Sequence, residues 1–102
     1  MVAQLSKQQG QVVVVGDMTM TNTQSLLSEW TALSVDVPSA VDLAGVTDVD
    51  TSTISLMFEW LRQSRARDCQ LHFLNLPHNL TSLATLYGVL DLIPTGPAVA
   101  GH

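Results

Sequence analysis

The chain has 102 residues, 46% of them hydrophobic and 13% charged, with nine acidic residues against four basic ones for a net charge of −5. That length holds one core and leaves no room for a substrate domain beside a cofactor domain, and the acidic balance argues against nucleic acid, whose affinity rests on Lys and Arg meeting phosphate. A charged share well below the roughly one quarter of an ordinary soluble domain implies that a partner covers part of the surface.

The first residues, Met1, Val2, Ala3, Gln4 and Leu5, lack the basic and apolar regions of a signal peptide, and no apolar run approaches the roughly 20 residues of a membrane span. A cytoplasmic location without direct membrane insertion is expected. Residues 2–5 and 11–15 read as two strands of a hairpin around the turn Gln8, Gln9 and Gly10. The second contains Val12, Val13, Val14 and Val15, an unbroken run of the kind buried on both faces. Thr21, Asn22 and Thr23 offer N-caps to a first helix whose Leu26, Trp30 and Leu33 share a face and which ends before Pro38.

Val41, Asp42 and Leu43 predict a short inner strand, with Gly45 and Asp48 marking the loop after it. The second helix starts at Asp50. Its Ile54, Met57, Phe58 and Leu61 follow the i, i+3, i+4, i+7 spacing of a face lying on a sheet. Thr53, Leu56 and Trp60 form a second stripe about 110–150° away, which one sheet is not expected to bury and which offers a seat for another subunit. Arg62, Arg65 and Arg67 fall at the helix C-terminus, where cations complement the macrodipole.

Residues 69–74 predict a further strand, in which Cys69, the lone cysteine, is a buried thiol with no internal partner for a disulfide. Pro77 suits the first turn of a third helix, Leu80, Leu83, Ala84 and Tyr87 its buried stripe, and Gly88 its left-handed close. Residues 95–102 carry no pattern and are expected to be a disordered tail to a single domain of residues 1–94. The order strand, strand, helix, strand, helix, strand, helix implies an α/β fold. Its mixed sheet of about four strands carries about three to four helices mainly on one face, with right-handed crossovers in the parallel part.

Asp50, Thr51 and Ser52 put a capping carboxylate and two hydroxyls at a helix N-terminus, where an added phosphate or a partner's polar loop meets backbone N–H groups and the positive end of the dipole. His72, His78 and His102 lack the spacing of a metal site. No Gly-rich phosphate loop and no Ser, His and acid set is legible, so neither an enzyme nor a cofactor is expected.

With these residues in view, residues 11–93 resemble a STAS domain, the fold of sulfate transporters and anti-sigma factor antagonists. The run Val41, Asp42, Leu43, Ala44, Gly45, Val46, Thr47, Asp48, Val49, Asp50, Thr51, Ser52, Thr53 and Ile54 carries the likeness: an apolar strand, Asp-Leu, a short loop, then Val-Asp, two small residues and a hydrophobic helix. Residues 80–89 are similar to a helix of the STAS subunit of the Mla phospholipid ABC transporter. Thr53 stands where the family commonly has glycine, and Thr19 where antagonists usually carry Asp. The resemblance therefore implies a non-catalytic subunit that binds and stabilises the transporter's ATPase, peripheral to the inner membrane through that complex. Its implied contact surface is Asp50, Thr51, Ser52, Thr53, Leu56 and Trp60. The alternative it implies is an antagonist whose Thr51 or Ser52 is phosphorylated by a kinase-type anti-sigma factor.

Overall fold

The valine-rich segment expected as the second strand is the centre of the sheet in a computed structural model that describes residues 4–8, 11–32 and 40–95. Strand β1 (Gln4–Gln8) pairs antiparallel with β2 (Gln11–Met18), with Leu5 opposite Val14 and Gln8 opposite Gln11. Helix α1 (Met20–Ala32) follows, then β3 (Ala40–Val49), helix α2 (Thr51–Ala66), β4 (His72–Leu74) and helix α3 (His78–Leu86), with a short 3-10 turn at Leu90–Leu92. Strands β2, β3 and β4 run parallel, and the sheet order is β1-β2-β3-β4. This is the mixed four-stranded sheet with three helices that the element order implied.

Val12, Val14 and Met18 are buried while Val13 is half-buried and Val15 is 43% exposed, so β2 alternates and the sheet covers its core with one face. The expectation that the valine run is buried on both faces fails because the helices pack on the other set of side chains. Strand β3 runs through the segment expected as a loop. Its pairing with β2 slips twice, from Val13↔Asp42 to Val15↔Gly45 and from Gly16↔Val46 to Met18↔Val49, each slip adding one residue on β3. The first insertion shifts the pleat so that Val41, Leu43 and Val46 all reach the core. At Gly45 the strands leave little room for a side chain: a Cβ there would lie 3.1 Å from the Val14 carbonyl oxygen and 3.2 Å from Val15 Cγ2.

Helix α1 starts one residue earlier than the expected caps. Thr21, Asn22 and Thr23 lie inside its first turn, where Asn22 Nδ2 donates to the Asp17 carbonyl at 3.1 Å and Thr23 Oγ1 to that of Met20 at 3.3 Å. Leu33 and Pro38, and the turn residues Gln9 and Gly10, lie outside the described residues. Helix α1 lies beside α2, and the rings of Trp30 and Trp60 stack with centroids 4.8 Å apart at 18°. One cluster of buried residues unites the sheet's inner face with all three helices: Val14, Val41 and Phe73 from strands, Leu26, Met57, Trp60 and Leu80 from helices.

Strand β4 is three residues long, and Cys69 sits before it, half-buried, rather than buried within it. Leu71 and Phe73 supply the burial there, and the Phe73 amide donates to the Pro94 carbonyl at 2.8 Å. Thr95, assigned in sequence to the tail, bridges Phe73 in parallel. Residues 96–102 lie outside the described residues. Helix α3 buries Leu80 and Ala84, and Gly88 closes it at φ 71° as its position implied. Tyr87 leaves the expected buried stripe and is 53% exposed. No helix among the described residues is long and apolar enough to cross a membrane.

Candidate functional site at the start of α2

The bulged end of β3 delivers Asp50 in extended conformation at φ −147°, where it caps α2. Its Oδ1 accepts from the Ser52 amide at 2.8 Å, while its own amide donates to Thr53 Oγ1 at 3.0 Å, completing a capping box with Thr in the place usually held by Glu or Gln. The second carboxylate oxygen leaves the helix: Oδ2 accepts from the Met20 amide of α1 at 3.0 Å. One carboxylate therefore holds the N-termini of two helices together, each of which favours a negative charge there.

Thr53 is fully buried, and its hydroxyl donates to the Met18 carbonyl at the end of β2. With its lone pairs serving Asp50 and its proton serving Met18, this side chain ties strand to helix and has nothing to offer a partner. Leu56 is 5% exposed and Trp60 is 0% exposed, because α1 lies along that side of α2. The second apolar stripe is consequently core, and Thr53, Leu56 and Trp60 are corrected from contact surface to packing. Phe58, expected to be core, is half-buried and borders a hollow of about 290 Å³ with Leu61, Arg62, Arg65 and Leu92.

Three of the expected residues do come together. Asp50 anchors the turn, Thr51 is exposed, and Ser52 is half-buried. The Thr51 hydroxyl lies 3.2 Å from that of Tyr87, within hydrogen-bond distance, so the end of α3 is joined to the start of α2. Ser52 opens onto a groove of about 310 Å³ between α1 and α2, whose lining includes Thr23, Leu27, Ser55 and Glu59. Glu59 at its rim is held down to about 2 by hydrogen bonds from Arg62 and then Gln63, with Arg62 Nε at 3.0 Å and Gln63 Nε2 at 3.0 Å.

Tyr87 and Met20 belong to this site and were missed in the sequence. The signal for Tyr87 was its place at the C-cap, immediately before Gly88, where a helical stripe ends and its phenol is free to turn outward. Among the described residues no group of three or more His, Cys, Asp or Glu side chains could hold a metal ion. What the arrangement can do is present a stiff, hydroxyl-tipped turn to another surface.

A family model described as "Mlab, STAS domain" matches residues 1–94, and the chain belongs to the STAS family. No curated protein matches it in sequence. Among solved structures it is similar to an anti-sigma factor antagonist from Mycobacterium paratuberculosis, at 17% identity and a TM-score of 0.71, covering 96% of this chain and 86% of that one. It is also similar to the anti-sigma factor antagonist SpoIIAA in its unphosphorylated form, at 17% identity and a TM-score of 0.66, covering 92% and 86% of the two chains. The Bacillus cell fate determinant SpoIIAA in its phosphorylated form follows at 14% identity and a TM-score of 0.61, covering 95% and 93%. At these identities the likeness is one of fold.

Proposed function

We propose that the protein is a non-catalytic STAS subunit that binds and stabilises the cytoplasmic ATPase of an Mla-type phospholipid ABC transporter, and so sits at the inner membrane through its partner. The observation that carries this reading is the first turn of α2, where Thr51 is exposed on a backbone fixed by Asp50 and Thr53. A turn already ordered in the free domain loses little entropy on docking. The description of the matching family model as Mlab supports this branch of the family.

The likeness to SpoIIAA in both phosphorylation states favours a second reading, an antagonist modified at Thr51 or Ser52 by a kinase-type anti-sigma factor. Local chemistry weighs against it. The Ser52 amide is already bonded to the Asp50 carboxylate and the Thr53 amide to the Asp50 backbone carbonyl, so a phosphate at this N-terminus must compete with both for its donors.

Thr51→Glu adds charge and volume at the contact and is expected to abolish co-purification with the ATPase subunit. Its thermal melt should stay near that of the parent, since acids are tolerated in a first helical turn. Thr51→Ser should bind nearly normally. Undiminished recovery of the Glu variant with the ATPase overturns the assigned contact, and transfer of phosphate to Thr51 or Ser52 by a kinase-type anti-sigma factor, seen by mass spectrometry, would shift the balance to the second reading.

A further inference from the structure

Isolated apolar side chains on a surface are ordinary, but several meeting at one place are not. The large hydrophobic residues exposed among the described ones are Val15, Met20, Leu86, Tyr87 and Leu92. Three of these stand on the segments that frame the first turn of α2. The Met20 amide is bonded to Asp50 and the Tyr87 hydroxyl lies against Thr51, with Leu86 preceding Tyr87 in the chain. Met20 is 71% exposed and Leu86 78%, so each leaves most of its surface open to solvent in the folded domain.

Among the described residues, the charged side chains near this end, Asp17, Asp48 and Asp50, have one sign. Asp17 and Asp48 lie near the ends of β2 and β3, where Asp17 Oδ1 accepts from the Thr47 hydroxyl at 2.8 Å and Asp48 is exposed. Asp50 is different, because two helix N-termini of roughly +0.5 charge each offset it. The basic residues are elsewhere. Arg62 lies about 16 Å along α2 from Thr51 at 1.5 Å per residue, with Arg65 and Arg67 further on. Lys7 pairs with Val12, about 20 Å from Met18 at 3.3 Å per residue of β2. Both spans exceed the screening length of about 8 Å at physiological salt. His78 starts α3, next to Asn79, whose side chain donates to the Thr47 carbonyl at 3.0 Å.

We infer that the partner element seated on the first turn of α2 is an apolar protein segment flanked by Lys or Arg, its apolar side chains covering Met20, Leu86 and Tyr87 and its cations facing Asp17 and Asp48. This rests on the docking proposed above and specifies the chemistry of what docks. An anionic membrane or nucleic acid is repelled by the same carboxylates. A second copy meeting this face with its own like face brings Asp17 and Asp48 against themselves.

Binding of the full chain to the purified ATPase subunit, measured at about 50 mM and about 500 mM salt, tests the inference. The wild type should weaken about tenfold or more across that range. The double variant Asp17→Asn, Asp48→Asn keeps the side-chain oxygen that serves Thr47, and should bind more weakly at low salt and lose most of the salt dependence. Met20→Ser should weaken binding about tenfold while leaving the salt dependence intact. No association of the wild type with the ATPase at any salt defeats the proposed function itself. Association indifferent to salt, or unchanged in the double Asn variant, overturns the inference alone, as does dimerisation of the free chain through this face seen by ultracentrifugation and abolished by Met20→Ser.

Discussion

The first turn of α2 and the flank of the same helix that carries Leu56, Trp60 and Ser64 are stabilised in opposite ways. At the first turn polar groups are matched: Asp50 serves two backbone amides, the Thr53 hydroxyl both donates and accepts, and Thr51 meets Tyr87. On the flank Trp60 Nε1 and Ser64 Oγ are buried without a hydrogen-bond partner among the described residues. Each such group costs roughly 1–3 kcal/mol. Packing has to offset that, and the stacked Trp30 and Trp60 rings, worth about 0.5–1.5 kcal/mol beyond their buried area, are part of how it does. An apolar stripe turned away from a sheet is thus no sign of free surface when a second helix lies alongside. The accessible chemistry of α2 is at its end.

The sharpest way to break this contrast is to truncate the two large aromatics of α2. Trp60→Ala should cost the isolated domain about 3–5 kcal/mol, the range for emptying a fully buried aromatic site. Phe58→Ala, at a half-buried position, should cost about 1–2 kcal/mol. At roughly 4–8 °C per kcal/mol for a domain of this size, thermal melts separate the two easily. A melt of Trp60→Ala as high as that of Phe58→Ala would mean that α1 does not shield the flank. Next in size is Thr53→Val, which keeps the shape and removes the hydroxyl, leaving the Asp50 amide and the Met18 carbonyl without that partner. A loss of about 1–3 kcal/mol is expected, and Thr53→Ser should recover most of it. A neutral Val variant would show that the first turn is held by Asp50 alone.

What was legible in the sequence was what neighbours along the chain decide. The hairpin of β1 and β2, the start of α2 at Asp50 and the Gly88 close of α3 each follow from residues within a few positions of one another. The length of β3 did not, because Gly45 and Asp48 carry loop signals and the bulge that keeps Val46 facing inward is set by the register with β2. Distance in sequence also hid which residues surround the start of α2 and which cover its flank. Trp60 is core because of Trp30, and Tyr87 belongs with Thr51 because α3 ends beside α2. Of the six residues expected at the contact, Asp50, Thr51 and Ser52 share the exposed end, whereas Thr53, Leu56 and Trp60 are buried by elements that periodicity within α2 cannot see.

The smallest expected effect lies at the groove rim, where an ion pair joins two turns of α2, its Arg62 exposed and its Glu59 half-buried. Arg62 donates through Nε and Nη2 to Glu59, and the Glu59 carboxyl is lowered from 4.5 to about 2, chiefly by that hydrogen bonding. A carboxyl whose pKa is depressed in the folded state adds stability above its unfolded pKa and loses it as pH falls through the folded value. The difference in melting temperature between the parent and Glu59→Gln should therefore be level above about pH 5 and shrink between there and about pH 2. It should also shrink with added salt, since solvent and ions screen an exposed pair. No difference at any pH would place the value of Glu59 in its contact with Gln63, which an amide side chain can also make. A difference that does not change with pH would show that the pair is absent in solution, and the rim of the groove would then be free to meet a partner as an open carboxylate.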